Sequence, residues 1–289
     1  MRTGATSARQ VVRTSAERLE RAGVPEPAAS AEVLLSELLG VGRDELGLYD
    51  VPLTDEQASL YEAWISRRLR REPVQRILGY AYFRDLTLDL NYETLIPRPD
   101  TESVVEAALG RTDGRGQPCL VLDLGTGSGA IAISIAKERP LLCEVHATDT
   151  SNAALEVARR NAARAAARVH FHRADVASGL EFLANGVDLL VSNPPYVKTD
   201  EIPNLQPEVR DWDPAFALDG GPDGLAYYRR IFAEASPLLR DGADVVFEVG
   251  DGQAEAVLDL GRRAGFVPLG IREDLAGTTR AVLLRWDRR

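Results

Sequence analysis

From about Gln117 onward, short apolar runs alternate with segments of helical period, and this alternation limits the fold more than any other feature of the chain. Strand-like runs lie near 119–124, 144–148, 168–173, 187–192, 243–249, 266–271 and 279–286, with helical patterns between most of them. Strands separated by helices pair in parallel, because a parallel return needs a long crossover, and such a sheet is covered on both faces. The stretch from Arg272 to Thr278 is too short for that crossover, so the final strand should run antiparallel. The expected core is therefore α/β, with seven strands and one antiparallel strand near the edge.

Residues 7–71 read differently, as helices only. Val11, Val12, Ala16, Leu19 and Ala22 recur at helical spacing before Gly23. A second helix is expected from about Glu26 to Leu39, stopping at Gly40. A third opens at Thr54, with Gln57 completing a capping box, and runs to about Arg70. Its end, Arg67-Arg68-Leu69-Arg70-Arg71, either meets an acidic partner or simply complements the helix dipole. Between Pro73 and Tyr92 the period shortens, and Phe83, Leu86, Leu88 and Leu90 around Arg84-Asp85 suggest a β-hairpin. The expected organisation is a helical domain over 1–72, a hairpin linker over 73–95 and an α/β domain over 96–289.

Two loops in the α/β part carry chemistry. Leu120-Val121-Leu122-Asp123-Leu124 leads into Gly125-Thr126-Gly127-Ser128-Gly129 and then a helical pattern from Ala130 to Glu138. Glycines let the backbone turn sharply against a ligand, and the following helix offers free N–H groups. Asp149, closing the next apolar run, stands where a carboxylate can accept both hydroxyls of a ribose. The spacing is not that of a dinucleotide loop, and no phosphate loop of the G-x-x-x-x-G-K-[ST] type occurs. A nucleoside cofactor without pyrophosphate fits: S-adenosylmethionine.

The second loop, Asn193-Pro194-Pro195-Tyr196, follows the apolar run Val187–Ser192. Each proline fixes its φ and removes an N–H, and Asn193 is pushed to an extended conformation. What remains is a stiff acceptor surface, the Asn193 side-chain oxygen and the Pro194 carbonyl, suited to hold both hydrogens of a planar –NH2. Tyr196 reads as a wall of that slot. Arg98, between Pro97 and Pro99, is either part of a packing loop or a charge aimed at a ligand by a stiff segment. The long stretch from Val197 to Gly224 has little periodicity and borders this turn, as functional loops commonly do.

Composition narrows the partners. A formal charge of −10 over 289 residues disfavours a long non-specific grip on nucleic acid. The two cysteines, Cys119 and Cys143, start apolar runs and read as free buried thiols of a reduced compartment. His146, His170 and His172 all fall in strand-like segments without zinc spacing; His170 and His172 alternate on one strand face, where a solvated face rather than a metal site is expected. No apolar run approaches the ~20 residues of a membrane span, and no signal-peptide core is seen. A cytoplasmic monomer is expected.

Taken together, the segments Ile96-Pro97-Arg98-Pro99-Asp100-Thr101-Glu102, Asp123–Gly129 and Ser192–Tyr196 resemble the HemK/PrmC family, the peptide-chain release factor glutamine N5-methyltransferases. The likeness extends to Phe247-Glu248-Val249-Gly250 with Gln253, and to Asp274-Leu275-Ala276-Gly277 with Arg280. It covers about residues 73–286, and the N-terminal helices by type only. It implies a Rossmann-like class I methyltransferase domain in which Gly125, Thr126, Gly127, Ser128 and Gly129 line the cofactor and Asp149 holds its ribose. It also implies cofactor contacts from Asp175, Val176 and Asn193, and a substrate glutamine gripped by Asn193, Pro194, Pro195 and Tyr196, with Arg98 beside them. Val176 departs from the family, which often carries a tryptophan there, so a stacking surface is missing. The implied reaction moves a methyl group from S-adenosylmethionine, leaving S-adenosylhomocysteine, to the glutamine of the Gly-Gly-Gln loop of release factors.

Two other readings stand beside it: an amino-methyltransferase acting on a flipped base, and a non-catalytic module that binds cofactor and protein. The negative charge and the absence of a basic tail weigh against the first, and the two intact loops against the second.

Overall fold

Strands Cys119–Leu124 and Val187–Ser192 are buried along nearly their whole length, which is what draws helices onto both faces of the sheet. The computed structural model describes residues 7–48, 52–113, 118–274 and 277–288. Gln117, Leu275 and Ala276, which figure in the sequence motifs, lie outside the described residues. Contacts divide the chain into two units, Met1–Gly79 with Pro207–Trp212 and Tyr80–Gln206 with Asp213–Arg289.

In the first unit the helices are α1 (Ala8–Arg21), α2 (Pro27–Leu39), α3 (Asp55–Leu69) and α4 (Val74–Leu78). The capping box forms as the sequence suggests: Gln57 N–H donates to Thr54 Oγ1 (3.2 Å), and Thr54 N–H donates to Gln57 Oε1 (3.0 Å). Helix α2 stops at Gly40, whose φ of 65° is left-handed. Leu19, Leu34, Leu35 and Ile65 are fully buried at the centre of this unit. The single turn of α4 has no apolar period to announce it; Pro73 starts it and Gly79 ends it.

The second unit opens with the hairpin β1 (Tyr80–Phe83) and β2 (Leu86–Asp89), then α5 (Thr101–Thr112). Alternation follows: β3 (Cys119–Leu124), α6 (Ala130–Glu138), β4 (Cys143–Asp149), α7 (Asn152–Arg164), β5 (Val169–Arg173) and β6 (Val187–Ser192). The turn α8 (Pro207–Arg210) belongs to the first unit. The chain ends with α9 (Ala226–Ala235), β7 (Leu239–Glu248), α10 (Ala254–Arg263), β8 (Phe266–Glu273) and β9 (Thr279–Trp286). The large sheet has the order β5-β4-β3-β6-β7-β9-β8. Strands β3 to β7 are parallel, and β9 runs antiparallel between β7 and β8, so the expected antiparallel strand is present, second from the edge. Strand β7 starts at Leu239, earlier than its apolar run, because an irregularity around Gly242 interrupts the ladder with β6.

One sheet face is covered by α9 and α10 through Phe232, Ile231, Val257 and Leu258; Phe232 and Tyr228 meet Phe247 edge-on at 5.4 and 5.5 Å. The other face carries α5, α6 and α7, and on them the hairpin residues Phe83, Leu86 and Leu88. Asn161 of α7, 1% exposed, ties two pieces of backbone: it accepts from Asp89 N–H (2.8 Å) and donates to the carbonyls of Asp89 (3.1 Å) and Ser128 (2.9 Å).

Buried charge is placed with care. The arginines at the end of α3 find carboxylates: Arg67 pairs with Glu72 (2.6 Å), while Arg68 and Arg71 both hold Glu208 (2.9 and 2.7 Å). The acidic partner left open by the sequence thus lies within the chain. With the Arg68 side chain 5% exposed, Glu208→Gln should strand a buried guanidinium and cost about 3 kcal/mol or more, read as a lower unfolding midpoint in denaturant; an unchanged midpoint would refute the pairing.

Two carboxyls are sealed at strand ends, Asp123 on β3 and Glu248 on β7, and burial pushes each up to about 7. A raised carboxyl pKa means that the folded state keeps a proton the unfolded chain releases. The stability each provides is therefore full below its unfolded pKa and is lost as pH rises toward 7, by up to about 1.4 kcal/mol per pH unit. In Glu248→Gln the melting temperature should fall less than in the parent between pH 5 and 7.5; parallel curves would show that Glu248 does not titrate there.

Candidate active site

Strands β3 and β6 are neighbours, yet the chain leaves β3 toward β4 and leaves β6 toward β7, on opposite sides. The loops after them part and leave a crevice at the carboxyl ends of the strands, where open α/β sheets bind ligands. A cavity opens there. Gly125, Thr126, Gly127, Ser128, Asp149, Asp175, Val176, Asn193, Pro194, Pro195 and Arg98 all line it. Gly129 and Tyr196 do not stand among the lining residues.

The glycine loop is held from below. Thr126 N–H donates to the Thr148 carbonyl (2.8 Å), and its hydroxyl donates to Asp123 Oδ2 (2.6 Å). Gly127 has φ of 56°, and a Cβ there would meet nothing within 4 Å, so the loop presents bare backbone to open space. Gly129 caps α6: with φ of 89°, a Cβ there would lie 2.6 Å from Ile133 Cδ1, so the position needs glycine.

Asp149, 9% exposed, accepts from Gly127 N–H (2.9 Å) on Oδ2 and from Ser151 N–H (2.9 Å) on Oδ1. Burial raises its pKa and these N–H donors oppose the shift. The carboxylate is thus oriented by backbone, with lone pairs left for a ligand. Asp175 sits at the rim and pairs with Arg230 (3.0 Å). Val176 is 8% exposed and holds φ of 52°, a left-handed conformation costly for a β-branched residue and sited on the cavity wall.

The Asn193 turn begins where β6 ends, Ser192 Oγ donating to the Leu124 carbonyl (2.7 Å) of the adjacent strand. Asn193 Nδ2 donates to Thr101 Oγ1 (3.4 Å), and that hydroxyl donates its one proton to Glu248 Oε2 (2.6 Å). Thr101, donating to Glu248, accepts from the Asn193 amide. The amide orientation follows, with Oδ1 left as the acceptor. Tyr196 stands behind the turn: its carbonyl accepts from Gln253 Nε2 (2.8 Å), and burial and the nearby Glu248 push its phenol well above the ordinary tyrosine range. Gly220 is required by close approach, since a Cβ would lie 2.8 Å from the Pro195 carbonyl oxygen.

Arg98 reaches the cavity and also pairs with Asp213 (2.5 Å), a fully buried carboxylate, so both packing and presentation apply to it. The motif segments distant in sequence meet behind the same wall: Arg280 bridges Asp100 (2.9 Å) and Asp274 (2.8 Å). Sequence reasoning missed Thr101 and Asn161 as organisers, and Glu93, Phe216 and Tyr227 as lining residues. Thr101 and Glu248 lay inside quoted motifs, but nothing in their spacing announced a hydrogen-bonded pair 147 residues apart. Phe216 comes from the aperiodic stretch, whose proximity to the turn was the usable signal.

The region matches known proteins along most of its length. The family described as PrmC N-terminal domain matches residues 10–79, and the one described as Methyltransferase small domain matches residues 113–206. The release factor glutamine methyltransferase of Geobacter sulfurreducens is 41% identical over 267 residues, 91% of each chain. That of Rhodospirillum rubrum is 41% identical over 271 residues, 93% of this chain and 82% of the relative. Among solved structures, a methyltransferase from Pyrococcus furiosus shares the fold with a TM-score of 0.50 at 18% identity, over 77% of this chain and 99% of that one. By these similarities, and with the glycine loop and the Asn193 turn on one crevice, the chain belongs to the release factor glutamine methyltransferase family.

Proposed function

We propose that this protein methylates the side-chain amide nitrogen of a glutamine in peptide-chain release factors, the glutamine of their Gly-Gly-Gln loop, using S-adenosylmethionine. The observation that carries the reading is the Asn193 amide, oriented by Thr101 and Glu248 and facing the same crevice as the glycine loop and Asp149. The cofactor suits the crevice: bare backbone at Gly127 beside an oriented, buried carboxylate is what a nucleoside needs, and no dinucleotide spacing is present. When bound, it supplies a sulfonium-activated methyl group.

The protein's part is placement. Asn193 Oδ1 and the Pro194 carbonyl accept the two hydrogens of the glutamine carboxamide and aim its nitrogen, whose lone pair is otherwise delocalised. In-line positioning of this kind contributes roughly 7–11 kcal/mol in well-oriented systems. As the nitrogen is alkylated and gains positive charge, the same acceptors stabilise it, and its proton becomes acidic enough to leave without a strong base. Arg98, Pro195 and Tyr196 shape the substrate side, while Asp149, Asp175 and Val176 hold the cofactor side. Among the described residues no helix is long and apolar enough to cross a membrane. A cytoplasmic monomer acting on a protein partner fits the negative net charge.

The helical region 1–72, together with the 80–92 hairpin, is the part we assign to substrate recognition, since residues 1–72 carry no catalytic constellation in their sequence. A chain beginning at Pro73 should bind cofactor but methylate release factor poorly; full activity in that shortened protein would overturn the assignment.

For the site itself, Asn193→Ala should lower kcat by about 10²–10³, roughly 3–4 kcal/mol, with little change in cofactor affinity. Asp149→Ala should instead weaken cofactor binding by roughly 1.5–3 kcal/mol in calorimetry. Peptide mass spectrometry after reaction should place one methyl on the glutamine of the Gly-Gly-Gln loop. Label appearing in nucleic acid, or normal single-turnover rates in Asn193→Ala, would sink the proposal.

A further inference from the structure

The chain has three histidines in 289 residues, and all three converge on one patch of the large sheet, away from the crevice. His146 lies on β4, and His170 and His172 lie on β5, the edge strand. His146 is directly opposite His170 in the ladder, and their rings are 4.8 Å apart. Two residues before His146 on the same face, Glu144 brings a carboxylate oxygen 3.1 Å from His146 Nε2. The donor atoms of Glu144, His146 and His170 all lie within 4.8 Å of one another. The other ring nitrogen of His146, Nδ1, is 2.9 Å from His172 Nε2.

We propose that Glu144, His146 and His170 form a binding site for a divalent late first-row transition-metal ion, with zinc as the representative. Two imidazoles and a carboxylate are the donor set that such ions prefer over magnesium or calcium, which favour oxygen. Ligand atoms around one tetrahedral zinc lie roughly 3–3.5 Å apart, given bonds near 2.1 Å. Glu144 and His146 already have that separation, and the exposed side chain of His170 closes the remainder by rotating. With Nε2 on the metal, His146 Nδ1–H donates to His172, the outer hydrogen bond that fixes the tautomer and ring plane of a metal-bound histidine. His146 is buried and fixed, whereas Glu144 and His170 are exposed, so the site is anchored at one ligand and reachable by solvent. An ion there would clamp the edge strand β5 to β4, and both strands lead into the crevice through Asp149 and Asp175.

The test uses the full chain without an affinity tag. Zinc titrated calorimetrically should bind at one ion per chain, and cobalt(II) should give visible d–d absorption at the same stoichiometry. His170→Ala and Glu144→Gln should each weaken zinc binding at least about tenfold, and His172→Ala by about 10–100-fold. Cys143→Ser, which removes the thiol one residue before Glu144, should bind as the parent does. If His170→Ala fails to fold, Glu144→Gln decides, because its exposed side chain leaves the core untouched. Absence of zinc binding in the parent, equal affinity in Glu144→Gln, or loss of the ion in Cys143→Ser would each overturn the site.

Discussion

The crevice exists because two adjacent parallel strands hand the chain to opposite sides. The crossover from β3 leads through α6 to β4, and that from β6 leads through α9 to β7. At that divide no connection can bridge the carboxyl ends of the strands, so the loops after Leu124 and Ser192 separate and a cavity is left. Both loops line that cavity. The sheet order is the constraint, and the glycine loop and the Asn193 turn are its consequences.

A cavity walled by loops needs stiffening, and here buried polar groups supply it. Thr126 and Asp123 hold one loop, Thr101 and Glu248 orient the amide on the other, and Asn161 joins the hairpin to Ser128. In a low-dielectric interior each of these bonds is strong, and each would be costly to leave half made. Burial also keeps Asp123 and Glu248 near neutrality in their titration, so the framework gives up some stability at neutral pH for the geometry of its acceptors.

Several features lay beyond sequence reading for physical reasons that differ from one to the next. The turn α4 is too short to show a period, and Pro73 and Gly79 mark only its ends. The end of α3 showed five residues with four arginines, but Glu208, which neutralises two of them, comes 137 and 140 residues later. Gly129 matched the loop motif, and only the fold shows that a Cβ there would press on Ile133 and Ala158. Tyr196 matched the turn, but the Gln253 bond to its carbonyl, from 57 residues later, had no local signal.

By itself the sequence determined the α/β alternation, the antiparallel last strand, the helical N-terminal region, and the two loops with Asp149 and Asn193, because these rest on local period, backbone restriction and residue chemistry. The tertiary structure alone decided which amide face Asn193 presents, since that depends on a Thr101 proton engaged 147 residues away. It alone paired Arg68 and Arg71 with Glu208, and it alone gathered His146, His170 and His172 with Glu144. Period-two spacing put the histidines on strands; only the parallel register of β4 with β5 set His146 opposite His170.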